Sequence, residues 1–161
     1  MVLFLHFAKA LQIPDDDNTY RHPEDVGNFN LFETSAFEKM PSSLHVMGGL
    51  FFPIYQREAL SLVFSCAKLS SSERSNSSSN DSRFAMKIYA GGINAVSGAV
   101  VGGEDQLEQD YVVIPLQMQL RGLSTCLEEA KQFVSMPLGS GYIIEHQLTE
   151  KDNIGGFFFF V

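Results

Sequence analysis

Tryptophan is absent, and cysteine occurs only twice, at Cys66 and Cys126. Two thiols sixty positions apart are too few for a disulfide scaffold or a zinc module. Basic residues are scarce as well. Eleven Lys and Arg against nineteen Asp and Glu leave a formal net charge of −8, with a pI near 4.8. That balance argues against a non-specific nucleic-acid binder and against docking on an anionic membrane surface. No apolar run approaches the length of a membrane span, so no transmembrane helix is expected. The four histidines, His6, His22, His45 and His146, are scattered without metal-ligand spacing. Neither a metal nor a cofactor is expected. What is present suits one ordinary domain: 161 residues, 45% apolar and 19% charged, enough to form a core.

The first ten residues are apolar, but they lack a basic n-region, and His6 and Lys9 interrupt the run. They read as a short packed segment or a fraying end rather than a secretory signal. Asn76-Ser77-Ser78 and Asn80-Asp81-Ser82 fit the glycosylation sequon, yet a serine-rich tract produces such matches by chance. A cytoplasmic location is expected. At the other end, Gly155-Gly156 leads into Phe157-Phe158-Phe159-Phe160-Val161. This run is expected to form a last strand buried on both faces; a truncated product is the alternative, because an exposed run of this kind aggregates.

Residues 1–28 read as a polar, partly disordered N-terminal segment, with a β-rich domain over 29–161. Asp15-Asp16-Asp17-Asn18 suggests a calcium loop, but an EF-hand needs glycine sixth and glutamate twelfth, where this chain has Tyr20 and Val26. A solvated acidic turn is expected there. Period-two alternation marks strands at Leu60–Cys66 and Phe84–Tyr89, and Tyr111–Ile114 is a short β-branched run closed by Pro115. Tyr142, Ile144, His146 and Leu148 share one face of a further expected strand. Leu120 to Met136 looks partly helical. The serine-rich stretch 68–83 has almost nothing to bury and is expected to be a flexible loop. Short strands with glycine turns between them predict a mostly antiparallel β-sandwich or barrel, with at most one or two short helices.

Chemistry-bearing motifs are sparse. A phosphate loop is missing. Gly139-Ser140-Gly141 begins like a dinucleotide fingerprint but lacks its third glycine and leads into an expected strand. On such a strand His146 would lie roughly 13 Å beyond Tyr142, too far along for a local Ser140–His146 pair. A turn serine and a partly buried histidine are the preferred reading. Cys66 falls on an apolar strand face, the setting of an inert thiol. Glu58 and Glu145 are candidates for a hydrolytic carboxylate pair if they share a cleft at about 5–10 Å.

Four ordered blocks carry a resemblance. They are Gly48-Gly49-Leu50-Phe51-Phe52-Pro53-Ile54-Tyr55-Gln56-Arg57-Glu58-Ala59-Leu60, Phe84 to Gly98, Gln109-Asp110-Tyr111 with Pro115, and Gln132 to Tyr142 followed by Glu145, Gln147 and Gly155-Gly156. Together they resemble a group of uncharacterised, chiefly fungal proteins over residues 45–160. The resemblance implies a shared β-rich module and carries no activity with it. Two stretches depart from the pattern: Gln119-Leu120-Arg121-Gly122, where relatives tend to carry Trp-Leu-Asp-Gly, and Ala130-Lys131, where they tend to carry Val-Arg.

Two functions are in competition. The first is a non-enzymatic binding module for a protein or carbohydrate partner, contacting it through Gln56, Arg57, Asn94, Asp110 and Tyr142, since function on rigid β folds resides in loops and strand ends. The second is a carbohydrate hydrolase using Glu58 and Glu145. Against the first stands a purely structural role, with Arg57, Glu58 and Asp110 paired internally. A carrier or pore-forming module, prompted by the glycines and the apolar end, has no support from spacing.

Overall fold

The computed structural model describes residues 1–14, 16, 18, 20, 21, 23–67, 83–102, 109–124, 130–151 and 154–161. Among them twelve strands follow in chain order: β1 (Val2–Ala10), β2 (Asp25–Asn28), β3 (Phe32–Glu33), β4 (Leu50–Phe51), β5 (Ala59–Ala67), β6 (Phe84–Ala90), β7 (Ile93–Asn94), β8 (Val112–Ile114), β9 (Gln119–Leu120), β10 (Gly122–Ser124), β11 (Ala130–Val134) and β12 (Phe157–Phe160). Two six-residue helices, α1 (Ser42–Met47) and α2 (Ile144–Thr149), and one 3₁₀ turn (Thr34–Ala36) complete the set.

The strands build a mostly β single domain with antiparallel sheets and no closed barrel, as a β-sandwich requires. The first sheet runs β10-β11-β5-β1-β2, with β9 also paired to β5; the second runs β12-β6-β7, with β8 paired to β6. β5 shows why the alternation holds. Leu60, Leu62 and Phe64 are buried in the core, and Cys66 packs against it. Opposite them in register on β1 stand Phe7 beside Leu62, Leu5 beside Phe64 and Leu3 beside Cys66. The second sheet answers with Met86 and Ile88 from β6, Ile93 from β7 and Val112 and Ile114 from β8. Fully burying each such side chain contributes about 1.5–3 kcal/mol. Phe7 also meets Phe157 and Phe159 at ring-centroid distances of 5.9 and 6.0 Å, and Phe133 meets Phe157 at 5.1 Å.

Polar side chains fasten the outer margin. Ser61 Oγ donates to Asp25 Oδ1 at 2.8 Å, and Gln119 Nε2 donates to Asp25 Oδ2 at 2.8 Å and to Ser61 Oγ at 3.1 Å. Arg121 donates to Gln119 Oε1 (2.7 Å) and to the Pro23 carbonyl (2.9 Å). Gln132 binds the chain leaving β1, accepting from the Ile13 N–H and donating to the Leu11 carbonyl, both at 2.9 Å. Gly122 is required at the β10–β11 contact, where a β-carbon would collide with the Lys131 carbonyl.

Four expectations need correction. The ordered sheet begins at Val2 rather than near Phe29, because β1 pairs with β5 along all its nine residues. Ala130–Val134 is a strand, not part of a helix, since it pairs with β10 and β5; residues 125–129 lie outside the described set. Residues 144–149 form α2 rather than a strand, with Glu145 turned into the protein. The phenylalanine run is a strand with one inward face: Phe157 and Phe159 pack on the core, whereas Phe158 and Phe160 are exposed. The serine-rich residues 68–82 lie outside the described set, as do Asp15 and Asp17 of the acidic turn. In that turn Asp16 accepts from the Tyr20 hydroxyl at 2.8 Å, which together with the Asn18 N–H holds its carboxyl below the ordinary value of 3.8.

Candidate interaction surface

Between β2 and β5 the chain leaves the sandwich and returns to it. Phe29 and Phe52 mark the exit and the return: their rings lie 4.9 Å apart, Phe52 is 4.9 Å from Phe7, and the Phe29 N–H donates to the Phe7 carbonyl at 2.8 Å. Lys9 covers the Phe29 ring with its ammonium, 5.0 Å from the centroid. The excursion between them, residues 30–51, has its own small scaffold. β3 pairs with β4, the Thr34 N–H and hydroxyl both donate to the Gly49 carbonyl, and Phe32, Phe37 and Phe51 form a three-ring cluster.

That cluster is too small to cover the rest of the excursion. No residue of α1 is buried. Val46 is 88% exposed, Met47 67% and Leu50 62%. At the foot, Tyr55 is 80% exposed, in a turn fixed by Glu58, whose carboxylate accepts from the Tyr55 N–H at 2.8 Å. Two open clefts flank this scaffold. One, of about 340 Å³, is lined by Thr34, His45 and Gly49 among others, and the second, of about 470 Å³, by Phe37, Lys39, Met40 and Phe51 among others. A grouped apolar surface of this type on a rigid base is the usual mark of a protein contact.

The five residues singled out in the sequence fall into three places. Gln56 and Arg57 are exposed beside Tyr55 at the foot of the excursion. Arg57 adopts φ 67°, a left-handed conformation held by its N–H donating to the Ser135 carbonyl at 2.7 Å. Asn94 and Asp110 lie together but are committed internally. Asn94 is 2% exposed; its Nδ2 donates to the Asp110 carbonyl at 2.8 Å, and its Oδ1 accepts from the Val96 and Ser97 N–H groups at 2.9 and 3.0 Å. The Asp110 carboxylate pairs with Lys87 at 2.6 Å. Tyr142 is exposed in the loop before α2, and among the described residues no hydrogen bond ties it to the other four.

The hydrolytic candidates are also committed to backbone. While Glu58 fixes the foot turn, Glu145 is buried against Gly91, which adopts φ 60° and has no room for a β-carbon beside that carboxylate. Glu145 accepts from the Ile154 and Gly155 N–H groups at 3.4 and 3.2 Å. No hydrogen bond links the two glutamates among the described residues. The spacing of roughly 13 Å expected between Tyr142 and His146 on a strand does not apply, because residues 144–149 are helical. Even so, Ser140 Oγ accepts from the Tyr142 N–H, and the buried His146 Nδ1 has no hydrogen-bond partner among the described residues.

The sequence reading missed the excursion as a whole. Its signal was there: Leu44, Val46, Met47, Leu50 and Tyr55 fall within twelve residues in no period that would bury them on one face. No known protein family, curated protein or solved structure matches the chain.

Proposed function

We infer that the chain is a binding module that holds a protein partner rather than turning over a substrate. The observation that carries this reading is the excursion 30–51, anchored at its base by Phe29 and Phe52 while it exposes Val46, Met47 and Leu50. Exposed apolar side chains favour a protein surface over a sugar, which would want convergent hydrogen-bonding groups. Gln56 and Arg57, exposed at the foot, would supply the polar rim of such a contact. Support for the hydrolase is weaker, since both carboxylates already fix turns.

The test is a paired capture experiment with Val46→Asp/Met47→Asp. Neither side chain is buried, so the variant should melt with the wild type. It should lose, by tenfold or more, a partner that the wild type retains and that rebinds when purified. A purified partner held equally by both forms would refute the assignment to this surface.

A further inference from the structure

Sheet edges expose unpaired N–H and C=O groups, and proteins guard them with charge, proline, bulges, shortness or a covering segment. The described edges of this sandwich carry such guards, with two exceptions: β12, and the Val2–His6 stretch of β1, since β2 pairs only with Ala8–Ala10. β2 holds Asp25, and its register against β1 shifts between Lys9 and Ala10. β10 is mostly buried, and its Ser124 N–H donates to the Ala95 carbonyl at 3.0 Å. β7 is covered by the returning chain, through Asn94 N–H to Ala99 and Val101 N–H to Gly92, both 2.8 Å. β8 stops at Pro115, and β3, β4 and β9 are two residues long.

The β1 stretch carries His6, whereas β12 carries no polar side chain. β12 is four phenylalanines with no charge and no proline, in unbroken register with β6. The Gly91 N–H donates to the Gly156 carbonyl at 2.8 Å, which sets the phase of that ladder. Phe158 and Phe160 therefore bond toward β6, and the backbone N–H and C=O groups of Phe157 and Phe159 point to the free edge. On the outer face, Phe158 is 40% and Phe160 60% exposed.

We propose that β12 pairs antiparallel with β12 of a second copy of this chain, joining the second sheets of two protomers into one. Centred on Phe159, the pairing exchanges two N–H···O bonds across the two-fold axis. It sets Phe158 opposite the partner's Phe160 on the outer face. A second copy is the occupant because the strip is self-complementary. Identical apolar side chains meet, and in a chain of net charge −8 no acid is brought against another along this strand. The contact is isologous, each copy giving the same β12 edge, so it closes at two.

The test is sedimentation of the full chain from roughly 1 µM to 1 mM, the range in which a small interface dissociates. Phe158→Lys/Phe160→Lys is run beside the wild type, and amide exchange is read at Phe157 and Phe159. The wild type should pass from monomer to dimer, with those two amides slowing at least fivefold as concentration rises. The lysine variant should stay monomeric. If that variant melts early, amide exchange on the wild type decides. A wild type monomeric throughout leaves the edge to another protein's strand and overturns the proposal. So do species larger than a dimer, a dimer that survives in the folded lysine variant, or one abolished by Val46→Asp/Met47→Asp.

Discussion

Replacing Asn94 with alanine should be among the most damaging single changes in the chain, although its side chain touches no cleft. Asn94 is 2% exposed and makes three side-chain hydrogen bonds of 2.8–3.0 Å. Alanine strips the Val96 and Ser97 N–H groups of their acceptor and the Asp110 carbonyl of its donor. Ser97 is buried, so its N–H loses about 1–3 kcal/mol; the two half-buried groups regain some water and lose roughly 1 kcal/mol each. The total is about 3–5 kcal/mol, set against a domain stability of about 5–15 kcal/mol. At this chain length each kcal/mol moves the midpoint by about 2–4 °C, so the melt should fall by roughly 6–20 °C. Asn94→Asp sharpens the test. It keeps both acceptor bonds but turns a second carboxylate oxygen toward the Asp110 carbonyl, which raises its folded pKa above the unfolded value near 3.9. A raised carboxylate pKa makes the folded state poorer as pH climbs through it. The aspartate variant should therefore approach wild-type stability near pH 4 and fall away by pH 8, while the alanine deficit stays flat. Urea titrations at both pH values read this. An alanine loss under about 1 kcal/mol, or an aspartate variant as stable as wild type at pH 8, refutes the assignment of Asn94 to the framework.

Two smaller effects follow from the same geometry. Asp110→Ala removes a partly exposed pair with Lys87, and its cost should stay under about 1 kcal/mol in a urea melt, with a loss above 2 kcal/mol contradicting the reading. The Asp16 carboxyl, held down first by the Tyr20 hydroxyl and then by the Asn18 N–H, should titrate below 3.8 by carbon-detected NMR. Its contribution to stability is present above the unfolded pKa and disappears as pH falls through the lowered folded value. Tyr20→Phe should move that midpoint upward; an unmoved midpoint would discard the bond as the cause.

β5 and β6 were legible because apolar and small or polar residues alternate along them, and one buried face is all such a strand needs. β1 was not. Val2 and Phe4 are apolar but sit opposite Leu3, Leu5 and Phe7, so the periodicity is hidden. β11 illustrates tertiary override. Ala130, Lys131 and Gln132 favour a helix in isolation, yet they pair with β10, and Phe133 and Val134 carry the strand on to β5. For α2 the error ran the other way: Ile143 and Ile144 read as strand, and the position of Glu145 against Gly91 is a long-range contact that no local pattern encodes. Gln56 and Arg57 were picked for their polar character beside an expected strand, and both are exposed. Asn94 was misjudged because a polar side chain that closes a turn and one that greets a ligand look the same in one dimension.

The place of β1 in the first sheet has a consequence for how the chain comes off the ribosome. β1 is made before β5, the strand it pairs with along its full length, which follows about fifty residues later. At roughly 5–20 residues per second, Val2, Leu3, Phe4 and Leu5 wait on the order of 3–10 s with no native strand partner in existence. During that interval the nascent chain presents an apolar strand to whatever is nearby. Expression yield should thus respond to mutations in Val2–Leu5 more steeply than the melting temperature of the finished protein does, with chaperone supply deciding the difference.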